Sequence, residues 1–116
     1  MKIASWNVNS IKARKDHALD WVKENQPDIA FLQELKTDGE HYPDSDFKNL
    51  GYISEIRGQK GYAGVATLIK KNIDYTLISK DLFEEDEQAR YLEIEVSGVR
   101  HINIYAPNGN PYPSEK

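Results

Sequence analysis

Apolar residues in this chain fall into short runs separated by polar punctuation. Residues 28–34, Asp-Ile-Ala-Phe-Leu-Gln-Glu, carry four apolar side chains in succession. Unbroken runs of this kind mark strands buried on both faces, as parallel strands covered by helices are. Residues 1–8 form a similar short run with Asn7 near its end. Between the two, residues 10–26 place Ile11, Ala18, Trp21 and Val22 at helical spacing with charges elsewhere; Ser10 or Asp16 can cap that helix and Pro27 stops it. Strand, helix, strand over this length predicts a βαβ unit. If its strands are neighbours, Asn7 and Glu34 emerge side by side at their carboxyl ends, where open α/β sheets place ligands.

Beyond Glu34 the pattern predicts a short helical turn over residues 46–51, with Asp46 as cap and Gly51 as stop. A strand follows at 52–57, then a glycine-rich loop at 58–64. Residues 65–70, Val-Ala-Thr-Leu-Ile-Lys, read as a strong strand from their β-branched content. Residues 73–79 read as an edge strand, and 81–87 as an acidic connection. Residues 91–96 alternate apolar and polar, Ser97-Gly98 is a hairpin turn, and 99–105 return. On that last strand Ile102 and Ile104 share one face, and His101, Asn103 and Tyr105 the other. A polar turn occupies 106–111. The expected fold class is α/β (α+β): one mixed β-sheet with helices on one face.

A length of 116 residues bounds this to one domain, and 39% hydrophobic residues suffice for a core. The absence of cysteine excludes disulfides and thiolate metal sites. A net charge of −4 argues against a nonspecific polycation binder, yet leaves room for a nucleic-acid enzyme with a local basic rim. Met1 leads straight into a strand, and no apolar run approaches membrane-spanning length. The expected setting is therefore the cytoplasm, with no membrane partner.

The sharpest chemistry sits at Glu34. A carboxylate directly after a buried strand costs several kcal/mol if left unpaired, in the order of magnitude of a desolvated ion. It is expected to open onto a cleft where a cation holds it. An amide oxygen from Asn7 beside a carboxylate is hard-oxygen chemistry, suited to Mg²⁺ or Mn²⁺ and not to zinc.

Four blocks occur in order: Trp6-Asn7-Val8-Asn9, Leu32-Gln33-Glu34, Gly61-Tyr62-Ala63-Gly64-Val65-Ala66 and Tyr105-Ala106-Pro107-Asn108-Gly109. Together they resemble the exonuclease III branch of the endonuclease/exonuclease/phosphatase superfamily over nearly the whole chain. The resemblance implies a four-layer αββα sandwich of which residues 1–116 are the N-terminal half, an incomplete domain. It implies Mg²⁺- or Mn²⁺-dependent phosphodiester hydrolysis in DNA repair, by 3′ exonuclease and abasic-site endonuclease action on double-stranded DNA. Ser10 departs from the family by standing where glycine is usual, Leu35 where threonine is common, and Ala63 where a small polar residue is common. The family's Asp-x-Asn block, its later metal-binding Asp and its terminal His-containing block have no counterpart here. The missing C-terminal half is thus itself an expected partner, and this chain alone is expected to be inactive.

Carried over residue by residue, the resemblance makes Glu34 the principal metal ligand and Asn7 a direct ligand or its support. It places the Tyr105 hydroxyl at the scissile phosphate, and makes Asn108 a phosphate-contacting amide. It lays Gly61 and Tyr62 against DNA, Tyr62 toward the minor groove. Lys36 and Arg90 are candidate phosphate contacts. Each has a plainer reading: Asn7 as a turn residue, Tyr105 as a core aromatic, Gly61-Tyr62 as hairpin chemistry, Lys36 and Arg90 as solvated charges. His17, His41 and His101 match no motif. The competing functions are a non-catalytic truncated half-domain and a superfamily phosphatase or sphingomyelinase-type phosphodiesterase.

Overall fold

The computed structural model describes residues 1–37, 42–58, 64–80 and 91–105. Gly61, Tyr62, Arg90 and Asn108, four of the expected DNA contacts, lie outside the described residues. The element order is β1 (Ile3–Asn7), α1 (Lys15–Asn25), β2 (Ile29–Gln33), α2 (Asp44–Asn49), β3 (Tyr52–Arg57), β4 (Val65–Lys70), β5 (Thr76–Ser79), β6 (Tyr91–Val96) and β7 (Val99–Ile104).

The βαβ unit is present. β1 and β2 pair in parallel, with Asn7 opposite Gln33. β4 then inserts antiparallel between β2 and β3, closing a mixed sheet of order β1-β2-β4-β3. The expected single mixed sheet is incomplete in one respect: β5, β6 and β7 do not join it. They form a second, antiparallel sheet of order β5-β6-β7. The reason lies in the mixed sheet's pattern. Val65 to Ile69 of β4 are buried without a break, so both of its faces need cover. The helical side buries Ala30, Leu32, Ala66 and Leu68 against Ala18, Val22 and Phe47. The other side buries Ile29, Val65 and Ile69 against Leu92, Ile94 and Val96 of β6. The result is a helix–sheet–sheet sandwich with two apolar layers.

Element ends shift for local reasons. α1 starts at Lys15 and not near Ser10, because Asn9 and Ser10 have positive φ (48° and 84°) that no right-handed helix accepts. Ser10 still caps a turn ahead of the helix, accepting the Ala13 N–H at 3.3 Å. Asp16 falls inside the first turn of α1. α2 begins at Asp44 after Pro43, so Asp46 lies within it and is no cap, while Gly51 follows it at φ +95°. The edge strand shortens to Thr76–Ser79, since Ile73 turns back to bond the Lys70 carbonyl. Ser97 and Gly98 both take positive φ (52° and 82°), as a two-residue primed turn requires.

β7 inverts the usual rule for a half-buried strand. Its expected two faces are there, but Asn103 is 1% exposed while Ile102 and Ile104 are 50% and 46% exposed. The polar face points into the inter-sheet layer, and the isoleucines point out. On the mixed sheet, Ile3, Ser5 and Asn7 of β1 are exposed on the side the second sheet covers elsewhere. β1 and β7 are the edge strands of their sheets at one side of the sandwich.

Candidate active site

Parallel pairing of β1 and β2 carries the chain out of the sheet at Asn7 and Glu34 together. The Asn7 Nδ2 amide donates to Glu34 Oε1 at 3.1 Å, and Asn7 Oδ1 accepts the Asn9 backbone N–H at 3.1 Å. Both ends of this carboxamide therefore engage the protein. Lys36 reaches back over the same carboxylate, its Nζ 3.3 Å from Glu34 Oε2 and 2.6 Å from Asn9 Oδ1. An ammonium thus sits between two oxygen donors from different strand ends. The Tyr105 phenol, arriving from the end of β7, completes the group beside the Glu34 carboxylate, close enough for each to shift the other's titration.

Charge follows this geometry. The hydrogen bond donated by Asn7, reinforced by Lys36 and Tyr105, holds the Glu34 carboxyl below its ordinary value against the opposing effect of desolvation. Tyr105 moves the other way: burial raises its phenol, and the neighbouring Glu34 carboxylate adds to the rise. The phenol accordingly keeps its proton for donation.

The backbone at this site is strained. Of the six non-glycine residues with positive φ among the described residues, four are Asn9, Ser10, Glu34 and Lys36, at the ends of β1 and β2. Such strain concentrates at functional sites. Ser10, at φ 84°, stands in backbone that glycine adopts freely. Ser10→Gly is expected to stabilise the fold by about 0.5 to 1 kcal/mol, the relief of strain exceeding the few tenths lost with its cap bond. Urea unfolding checks this; a lower midpoint refutes it.

Sequence patterning brought Asn7 and Glu34 into consideration and the family resemblance added Lys36 and Tyr105; these four lie together. It missed Asn9, whose oxygen faces Lys36; the only available signal was a second asparagine in Asn7-Val8-Asn9. As a seat for a hard cation, the set fits in kind: the donors turned toward the Lys36 ammonium are oxygens, with no sulfur or imidazole. It is small in number, since no cluster of three or more His, Cys, Asp or Glu suited to a metal occurs among the described residues.

A two-sheet α/β sandwich with an oxygen-rich group at the carboxyl ends of parallel strands has close counterparts among known proteins. The Endonuclease/Exonuclease/phosphatase family model matches residues 4–115, and the chain belongs to that family. It is 36% identical over 113 residues to exodeoxyribonuclease III of Haemophilus influenzae, covering 94% of this chain and 42% of that protein. Among solved structures, an AP endonuclease from Archaeoglobus fulgidus superimposes with a TM-score of 0.83 at 34% identity, covering 94% of this chain and 42% of the other. A Neisseria 3′ phosphatase bound to a product DNA hairpin gives a TM-score of 0.84 at 36% identity, with 97% and 44% covered. The chain thus spans less than half the length of these relatives. No described helix is long and apolar enough to cross a membrane.

Proposed function

We propose that this chain is the N-terminal half of a divalent-metal-dependent DNA phosphodiesterase of exonuclease III type, acting at 3′ ends and abasic sites in repair. The observation that carries the reading is the convergence of Asn7, Glu34 and Tyr105 from three separate strands on one carboxylate. Structural burial alone does not require a phenol and an amide to meet a partly exposed carboxylate.

Glu34 would hold Mg²⁺ or Mn²⁺, with Asn9 Oδ1 as a second oxygen once Lys36 swings aside. The ion would neutralise charge on the phosphate oxygens. Asn7 orients Glu34 through its Nδ2 amide, and its Oδ1, which accepts one bond from Asn9 N–H and has a second lone pair, would be a further oxygen for the ion. Tyr105 donates its retained proton to a nonbridging or leaving oxygen, where charge grows in the transition state. Lys36, once released, is free to pair with a backbone phosphate. Gly61, Tyr62, Arg90 and Asn108 are proposed to extend the contact with duplex DNA. The general base resembles the Asp of the family's Asp-x-Asn block, a pattern this sequence does not contain. The complementary half of the domain is therefore a required partner.

In a full-length protein carrying this chain, Tyr105→Phe is expected to slow single-turnover cleavage of an abasic-site duplex by about 10²-fold, while DNA affinity changes by less than about twofold. A rate within about threefold of the parent removes Tyr105 from the chemistry.

A further inference from the structure

Asn103 is an anomaly in an apolar layer. Its side chain is buried between the sheets, where β6 supplies Leu92, Ile94 and Val96 and the mixed sheet supplies Ile29, Val65 and Ile69. Its hydrogen bonds point to one place. The Nδ2 amide donates to the carbonyls of Leu32 at 3.2 Å and Ala66 at 2.8 Å, which belong to residues paired across β2 and β4. It also lies 3.3 Å from Thr67 Oγ1. Oδ1 accepts from Gln33 Nε2 at 2.9 Å, and the same Gln33 nitrogen lies 3.1 Å from Ser5 Oγ on β1. One carboxamide therefore ties β7 to two strands of the other sheet directly, and to β1 through Gln33.

These contacts form part of a register. His101 packs on Phe31 with ring centroids 6.3 Å apart, Asn103 bonds at Leu32 and Gln33, and Tyr105 comes next on the same strand, its phenol beside the Glu34 carboxylate. β7 thus tracks β2 in the same direction, and Tyr105 follows Asn103 on one strand face. Apolar packing is non-directional and tolerates sliding of one sheet over the other. Hydrogen bonds do not. A slip by one same-face step would carry Tyr105 about 7 Å from its partner.

We propose that Asn103 is a positioning residue: its buried carboxamide fixes where the second sheet rests on the first, and so places the Tyr105 phenol beside the Glu34 carboxylate. A single buried polar group setting register has a general precedent in packed cores, where it costs some stability. The relevance to cleavage rests on the function proposed above; the positioning itself does not, and it is measured without catalysis.

The test uses a full-length protein carrying this chain, with 3-fluorotyrosine at position 105, recorded by ¹⁹F NMR. In the parent, Glu34→Gln is expected to move the fluorine resonance. In an Asn103→Leu background the same substitution should move it by at most about a third as much, while the urea midpoint stays equal or rises. Leu92→Ala, which thins the same layer, should lower the midpoint and leave the resonance shift at full size. If Asn103→Leu fails to fold, Gln33→Met removes only the donor to Oδ1, and the shift is expected to fall at least about twofold. A full-size shift in a folded Asn103→Leu protein overturns the proposal, as does a full-size shift in Gln33→Met. Equal loss of the shift in Leu92→Ala also overturns it, since the coupling would then follow packing and not the amide. Loss of nuclease activity in some other variant, with the fluorine coupling intact, would bear on the function alone.

Discussion

Glu34→Gln, introduced into a full-length protein carrying this chain, is expected to lower metal-dependent cleavage by about 10³-fold or more, roughly 4 kcal/mol of transition-state stabilisation. The argument is electrostatic. Glutamine keeps an oxygen where Asn7 Nδ2 donates, so the local hydrogen bond survives. What disappears is the negative charge that attracts Lys36 at 3.3 Å and that, on the proposed function, would hold the cation. The Glu34–Lys36 pair is partly exposed, with side chains 19% and 37% accessible, so its loss changes stability by less than about 1 kcal/mol. Rate and stability are therefore expected to separate. The pH dependence has a definite sign. Because the folded carboxyl titrates below its ordinary 4.5, the contribution of Glu34 to stability is present above that value. It is lost as pH falls through the lower folded value, and Glu34→Gln removes this dependence. Single-turnover rates with Mg²⁺ and Mn²⁺, alongside urea midpoints at pH 7 and pH 3, check both halves. A variant that cleaves within about tenfold of the parent would displace Glu34 from the metal.

Residues 1–116 alone are expected to give no metal-dependent cleavage of an abasic-site duplex above the blank. Mg²⁺ gives up its waters reluctantly, and tight sites fix several oxygens around it. The described residues bring one carboxylate and neighbouring amides to the strand ends, with no cluster of three acidic or imidazole groups suited to a metal. The Asp-x-Asn pattern that would provide a base is absent from the sequence. A cation retained at Glu34 would thus lack a group to take the proton from water. The purified chain, assayed with both ions and rescued or not by an added C-terminal half, decides this. Cleavage by the chain alone that Glu34→Ala abolishes would show that half of the fold carries the chemistry.

How much of this was legible beforehand depended on the range of the interactions involved. The βαβ unit was readable because its signals are local: an apolar run, a helical period, a proline stop. That also fixed Asn7 beside Glu34. Which sheet β5, β6 and β7 would join was not readable, since pairing partners are chosen by contacts distant in sequence. Alternation along β7 gave its two faces but not which one turns inward. Isoleucine at 102 and 104 argues for those positions as core; the buried amide of Asn103 wins because strand carbonyls and Gln33 satisfy it. The start of α1 was misplaced because positive φ at Asn9 and Ser10 leaves little trace in residue type.

The site draws its members from very different separations along the chain. Asn7 and Glu34 are 27 residues apart, whereas Asn103, which precedes Tyr105, bonds Leu32 across a separation of 71. Closing the longer loop costs only about 0.9 kcal/mol more in chain entropy, by the logarithmic rule for loop closure. The larger asymmetry is one of precedence: β7 bonds to carbonyls of β2 and β4, so its landing place does not exist until those strands have paired. During synthesis β1, α1 and β2 also leave the ribosome first. The Glu34 carboxylate and its asparagine are then in place before the Tyr105 phenol docks, so the group forms from its short-range members first and its long-range member last.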